Sequence, residues 1–410
     1  MNNPAVSADV RRSNLSLVLR HIEACGPCAR TEIAAATGLV HASVTALVAD
    51  LLARGLVEEA GAAASGGRGR PRRLLRLLPG RVWTVAVHVS REHVHLWGAD
   101  LAGIAVHTDR VRHEAPFGDP GAMAASIAEV VARAVVRADG AHLGRVVIAV
   151  PGPVIEGRVG AAIGFGWEVT DLAALVAGHL PGLRAPVEVV NDASVAALAE
   201  YHALAAAGSG HPDTVVYVKG DTGVGGGLLI GGRIHHGSHG MAGEIGHVPV
   251  SLDGPRCKCG SRGCLVTHLG LHALTAAAGM DPLIPGQDTA AARAELDRRL
   301  RAGDLRAVAA LDGAGHALGA ALLAVASAAD VGEAILGGYL ADWAPWLIPG
   351  IDARLTGRRT EIPGVGFTVS VGVLGADATL HGAVQAGRER ILDDPTTVPA
   401  CGGREAPTAG

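Results

Sequence analysis

The stretch Gly243-Glu244-Ile245-Gly246-His247, followed by Cys257-Lys258-Cys259-Gly260-Ser261-Arg262-Gly263-Cys264, constrains this chain more than any other. It gathers three cysteines and a histidine into one short span. A tetrahedral Zn²⁺ site needs four thiolate or imidazole ligands brought together by tight turns. Gly260 and Gly263 permit such a turn between Cys259 and Cys264. His247, Cys257, Cys259 and Cys264 are therefore expected to hold a structural zinc with no coordination position left open. Unrelated buried or oxidised cysteines would not cluster this way.

Glu-x-Gly-His followed by Cys-x-Cys-Gly-x-x-Gly-Cys resembles the signature of the ROK family, which comprises repressors, open reading frames and sugar kinases. The resemblance runs from about residue 12 to about residue 392. It implies an actin-like, two-lobed ATPase fold with a cleft between the lobes.

At 410 residues the chain has length for two or three domains. No charged-then-apolar leader pattern opens it, and no apolar run of membrane-spanning length is evident, which points to a cytoplasmic protein. The cysteines do not suggest a secreted disulfide framework. Cys25 and Cys28 form a Cys-Gly-Pro-Cys sequence with no strand before it, so they read as small residues near a turn rather than a redox pair. Charge is uneven. Residues 1–81 hold eleven arginines against six acids, a net of +5 in a chain whose total is −4. A basic head on an acidic body suits contact between the head and a polyanion.

The first 78 residues read as a winged helix-turn-helix. Residues 12–25 are amphipathic, with Leu15, Leu19 and Ile22 on one face. Thr31 is expected to cap a short helix through Thr37, and a third helix starts at His41 and closes at Gly55. Short helix, glycine turn and second helix make the helix-turn-helix pattern. His41, Ser43, Val44 and Thr45 fall at the start of the recognition helix, where base edges are read, with Leu47, Val48 and Leu51 facing the core. Two strands near 56–59 and 74–77 flank Ser65-Gly-Gly-Arg-Gly-Arg-Pro-Arg-Arg73. That loop, carrying Arg68, Arg70, Arg72 and Arg73, suits phosphate or minor-groove contact. Double-stranded operator DNA is the expected partner.

Residues 79–392 alternate strand and helix, as an α/β body does. Strands are expected at 82–89, 93–99, 104–109, 146–150, 187–190, 215–218, 225–230, 334–338 and 367–373. Helices are expected at 120–138, 193–206, within 271–328 and at 379–392. The tail from 393 to 410, rich in Pro, Gly and Thr, is expected to be disordered.

The resemblance also implies a site. Asp192 matches the family's catalytic base, with Asn191 beside it as a hydroxyl ligand, and Glu244 and His247 match the pair that contacts sugar. Asp192 can equally cap the helix that follows. The family's first phosphate loop runs Asp-x-Gly-Gly-Thr. Here the equivalent residues are His88-Val89-Ser90-Arg91-Glu92, so the Mg²⁺-linked aspartate and both glycines are gone, and Glu92 would repel phosphate. The second loop, Thr222 to Gly227, survives. Phosphoryl transfer rests on positioning and charge compensation, so loss of one loop should abolish it and leave Asp192 a vestigial base. Val266 stands where the family has a glutamate, and residues 163–166 lack an asparagine the family carries before the tryptophan, here Trp167. Two polar sugar contacts are thus replaced, which favours a modified sugar or another small molecule.

These observations favour a DNA-binding regulator, in most relatives a repressor, that forms a homodimer or homotetramer and senses a small effector through a kinase-like cleft. An ATP-dependent sugar kinase with an added DNA head is the alternative. An assembly protein using neither DNA nor ATP is a third reading, disfavoured by the arginine-rich loop.

Overall fold

The computed structural model describes residues 7–63, 72–160, 162, 164–221, 223–283, 289–361 and 366–401. The head comprises α1 (Ser7–Cys25), β1 (Cys28–Ala29), α2 (Arg30–Thr37), α3 (His41–Ala53), β2 (Val57–Ala63) and β3 (Arg72–Leu77). The axes of α2 and α3 meet at 117° across Gly38, which has φ 72°; this is helix-turn-helix geometry. Helix α2 begins two residues earlier than expected, with Ala29 and not Thr31 at its cap. Its first turn is held by Glu32, whose carboxylate accepts from the Ala29 N–H at 2.8 Å, not by Thr31. The wing sheet runs β1-β3-β2, with the two-residue β1 as an edge the sequence did not announce.

The first lobe follows as β4 (Val82–Val89), β5 (His93–Asp100), β6 (Ala105–Arg112), α4 (Pro120–Arg137), β7 (His142–Val150), β8 (Val154–Ile155), β9 (Arg158–Val159), α5 (Leu172–His179) and β10 (Val187–Asn191). The second comprises α6 (Asp192–Ala206), β11 (Thr214–Gly220), β12 (Val224–Ile230), β13 (Arg233–Ile234), α7 (Val266–Leu269), α8 (Leu271–Ala277), α9 (Thr289–Arg301), α10 (Leu305–Ala329), β14 (Glu333–Gly338), α11 (Tyr339–Asp342), α12 (Ala344–Glu361) and β15 (Thr368–Val371). The last helix, α13 (Ala378–Asp393), returns to the first lobe and packs on β4, β7 and α6.

Both lobes use one plan. In sheet order β10-β7-β4-β5-β6, the first three strands are parallel, and β5 and then β6 each pair antiparallel with the strand before. Order β15-β14-β11-β12-β13 repeats this, strand for strand. The inner strands β4, β7, β11 and β14 are almost continuously apolar because helices cover both faces. Helix α10 is long and apolar enough by composition to cross a bilayer, although Arg306, Asp312 and His316 interrupt its apolar run. It lies against α12, and its Leu311, Leu318 and Leu322 are wholly buried in the core of the second lobe.

Two expectations for the head and tail are corrected. Val44 is fully buried, packed with Leu15, Leu47, Val48 and Leu51, so it supports α3 from inside and is not on its outer face, where it was expected. The segment after 393 is ordered as far as residue 401. Pro395–Thr397 form a 3₁₀ turn, and Val398 is wholly buried in the same core as the head helices, beside Ile391 and Leu392. Arg54 fixes this segment by donating to the Val398 carbonyl at 2.6 Å and the Thr396 carbonyl at 3.1 Å. Residues 402–410 lie outside the described residues.

Candidate functional site

The cleft is built where β10 runs into α6. Asn191 ends the strand and caps the helix: its Oδ1 accepts from Ser194 N at 2.8 Å, and its Nδ2 donates to the Gly152 carbonyl at 2.8 Å. The cap is thus Asn191, not Asp192. Both of its polar atoms are already engaged, and it ties the Pro151–Pro153 turn to α6. Asp192 becomes the first residue of the helix and is 4% exposed.

What meets Asp192 is a lysine that sequence reasoning missed. Lys219, near the end of β11, is 5% exposed and donates to Asp192 Oδ2 at 2.7 Å. It also donates to Thr379 Oγ1 at 3.2 Å and lies 3.6 Å from Asp221 Oδ2. His88 Nε2 stands 3.8 Å and 3.9 Å from the Asp192 and Asp221 carboxylates. Burial alone would raise the Asp192 carboxyl, but the Lys219 ammonium and His88 reverse that and hold it well below the usual carboxylate range. Burial opposes the charge on Lys219 as well, and Asp192 with Asp221 outweighs it. Both partners are therefore charged at neutral pH. His88, Asp192 and Asp221 are spaced as a metal could demand, yet an ammonium already sits within hydrogen-bond distance of that set. A strand reading Val-Val-Tyr-Val-Lys carries a signal that could have found it, since a lysine among buried residues requires a partner.

The two phosphate-loop equivalents have other occupations. Glu92, in the turn after β4, reaches the second lobe and accepts from the N–H and hydroxyl of Thr289 at the start of α9, at 2.8 Å and 2.9 Å. Gly225–Gly227 lie on β12, paired with β11. A Cβ on Gly227 would come 2.8 Å from the Ala197 Cβ, so that glycine lets α6 sit directly on the strand. Tyr339, 2% exposed, packs its ring on Gly220 beside this turn, donates to the Leu269 carbonyl at 3.3 Å and stacks on Trp343. Val266 opens α7 and lies against Gly223 of the same turn. Phe165 and Trp167 are buried with the first lobe's core; Ile163 lies outside the described residues.

Glu244 and His247 flank the 3₁₀ turn Ile245–His247, which lies flat on β12 because a Cβ on Gly246 would strike the Val224 carbonyl at 2.1 Å. Burial, with the Asp192 carboxylate nearby, pushes the Glu244 carboxyl up to about 7. The folded state therefore favours protonated Glu244, and stability is lost as pH rises from the ordinary carboxylate range toward 7. Glu244→Gln cannot ionise. Denaturant unfolding should find the variant gaining on the native chain between pH 5 and pH 8, by about 2 kcal/mol.

The histidine and cysteines converge as expected. The ligand atoms of His247, Cys257, Cys259 and Cys264 all lie within 4.8 Å of one another. Cys257 Sγ is 3.6 Å from His247 Nδ1, and Cys259 Sγ is 3.6 Å from Cys264 Sγ. These separations match the edges of a tetrahedron with metal–ligand bonds of about 2.0 to 2.3 Å. Burial and the neighbouring cysteines push the Cys264 thiol up to about 12. Three thiolates this close need a bound cation, and the donor set fits a soft or borderline divalent metal.

In the head, His41 and Thr45 are exposed and Ser43 is half-buried on the outer face of α3. Thr45 donates to the His41 carbonyl at 2.9 Å, which fixes its rotamer. Arg72 and Arg73 belong to β3, not to a loop, and Arg73 is paired with Glu59, which also accepts from Arg30. Arg68 and Arg70 lie outside the described residues.

The fold and site define a two-lobed, kinase-like body joined to a head of three helices and a three-stranded sheet. The chain belongs to the ROK family, whose description it matches over residues 84–386. It is 26% identical over 268 residues to the xylose repressor of Bacillus subtilis (strain 168), covering 65% of this chain and 67% of the repressor. It is 33% identical over 298 residues to the kanosamine kinase of Amycolatopsis mediterranei (strain S699), covering 70% and 85%. Among solved structures, a ROK family transcriptional regulator described as a homolog of the E. coli MLC protein superposes with a TM-score of 0.75 at 23% identity, covering 95% of this chain and 99% of its own. That likeness extends over the head as well as both lobes.

Proposed function

We propose that this protein is a DNA-binding transcriptional regulator, a repressor, that senses a sugar or related small molecule in a cleft no longer equipped for phosphoryl transfer. The observation that carries the reading is the Lys219–Asp192 pair. A general base must accept a proton from the acceptor hydroxyl. A carboxylate held this far below its ordinary range by a buried ammonium is a poor acceptor. The lost first phosphate loop and the Tyr339 ring packed against Gly220 beside the second support the same conclusion.

In this reading residues 1–78 read DNA and residues 79–392 sense and oligomerise. His41, Ser43 and Thr45 face base edges, while Arg68, Arg70, Arg72 and Arg73 serve phosphates or the minor groove. Asn191, Asp192, Glu244 and His247 line the effector site, and His247, Cys257, Cys259 and Cys264 hold Zn²⁺. The protein acts in the cytoplasm as a homodimer or homotetramer on a two-fold related operator. The test is selection of genomic fragments by the purified protein. A two-fold symmetric motif is the expected result, and no enriched sequence from folded, metal-loaded protein overturns it. On the selected site, replacing Arg68 and Arg70 together should flatten the slope of log affinity against log salt by about 2.

The kinase alternative draws on the kanosamine kinase likeness. ATP-dependent phosphorylation of any member of a sugar and amino-sugar panel, lost on Asp192→Asn, would establish it.

A further inference from the structure

Helix α13 touches both the cleft's ion pair and the head. At its first turn Thr379, 2% exposed, accepts from Lys219 Nζ at 3.2 Å and donates to the Asp192 carbonyl at 3.4 Å. Just before it, the turn at Val373 and Leu374 is held by Glu200 of α6, whose carboxylate accepts from both N–H groups at 2.7 Å and 3.1 Å. Glu200 is itself fully buried, and a Cβ on Gly372 would meet it at 2.5 Å.

At the other end the same helix grips α1. Arg388 donates to Glu23 at 2.8 Å, and to the Leu101 carbonyl at 2.9 Å. Arg20 donates to Glu389 at 2.6 Å and Asp393 at 2.7 Å. Ile391 and Leu392 belong to the head's own hydrophobic core. Between these ends the helix backbone packs closely on the body at two glycines. A Cβ on Gly382 would meet the Val195 carbonyl at 2.0 Å, and one on Gly387 would meet Thr84 Cγ2 at 2.4 Å, so backbone lies directly on α6 and on β4. Side chains that rearrange can absorb a displacement, whereas backbone in contact passes it on.

We infer that α13 is the element through which the cleft controls the head, with Thr379 as its contact at the cleft and the Arg388–Glu23 and Arg20–Glu389 pairs as its contacts at the head. This rests on the regulator reading and adds the route. A ligand that draws Lys219 Nζ into its own hydrogen bonds removes one partner of Thr379. The first turn of α13 then shifts, and α1 moves with the last. Coupling of this kind is reciprocal: disturbing the head contacts must alter the cleft by the same free energy.

The test needs neither the effector nor the operator. Hydrogen–deuterium exchange is followed on the full-length, metal-loaded protein carrying Thr379→Val, a near-isosteric change that removes the hydroxyl. Amides of α1 and of residues 395–401 should exchange at least threefold faster, Thr379→Ser should restore them, and amides of α4 should not change. Acceleration confined to the neighbourhood of Thr379, with α1 unchanged, overturns the inference. If the valine variant does not fold, Glu23→Gln provides the reverse arm. It should accelerate exchange at the start of α6 and in β11, and an effect limited to the head sinks the proposal equally. Failure of the regulator reading would appear elsewhere, as native protein that retains no DNA sequence.

Discussion

Lys219→Met is expected to cost the folded protein about 3 to 5 kcal/mol, the range found when one member of a buried ion pair is removed. The substitution keeps the volume of the stem and deletes the ammonium that Asp192 and Thr379 both use. Asp192, 4% exposed, is then a buried carboxylate with His88 at 3.8 Å as its remaining cationic candidate. Denaturant midpoints at constant m-value measure the loss. The companion double variant, Lys219→Met with Asp192→Leu, should recover most of it, because two apolar groups leave nothing unsolvated. A single variant as stable as the native chain would mean the pair is neither buried nor charged. The pH dependence has a fixed sign. Asp192 is depressed, so its contribution is present above the ordinary carboxylate range and lost as pH falls through its folded value. Lys219 is raised, so its contribution is present below the ordinary lysine range and lost as pH rises through its folded value. The penalty of the single variant should therefore grow as pH rises above the ordinary carboxylate range, because without Lys219 burial raises the Asp192 carboxyl while the native pair stays charged.

Cys264→Ala is expected to abolish metal binding and to melt the segment from Glu244 to Leu265. Cys264 is wholly buried and bridges to Pro249, so its side chain and backbone both hold the loop to the second lobe. Zn²⁺ contributes on the order of 10 kcal/mol where it organises a small loop, more than any single packing change. Elemental analysis should fall from one metal per chain to none, and limited proteolysis should open between Ser251 and Arg262. Cys25→Ala should do neither, since Cys25 ends α1 in the head. Acidification should mimic the substitution. With the Cys264 thiol pushed up to about 12 when no cation is bound, binding must displace a proton, and affinity falls as pH falls. A chain that kept its metal without Cys264 would refute the four-ligand assignment.

How far the sequence could be read depended on whether a signal was local. The quartet His247, Cys257, Cys259 and Cys264 lies within one short span, and its glycines and ligand spacing made its convergence legible. Strand and helix positions in the body followed from runs such as Val146–Val150 and the alternation along β5. Val44 was legible and was misplaced: Val44, Leu47, Val48 and Leu51 stand at i, i+3, i+4 and i+7, one face of one helix. The 393–401 segment misled because composition averages over residues, and a single valine, Val398, decides where it packs. Lys219 and Thr379 lie 160 residues apart, and their contact with Asp192 exists only once two sheets and a returning helix are assembled. No local pattern carries that.

The order in which the chain is made gives one of these contacts a further meaning. The head is synthesised first, yet its core is completed by Ile391, Leu392 and Val398, which emerge about three hundred residues later. During that interval Leu15, Leu19 and Val44 have no finished core to enter. The head is thus completed last although it is translated first.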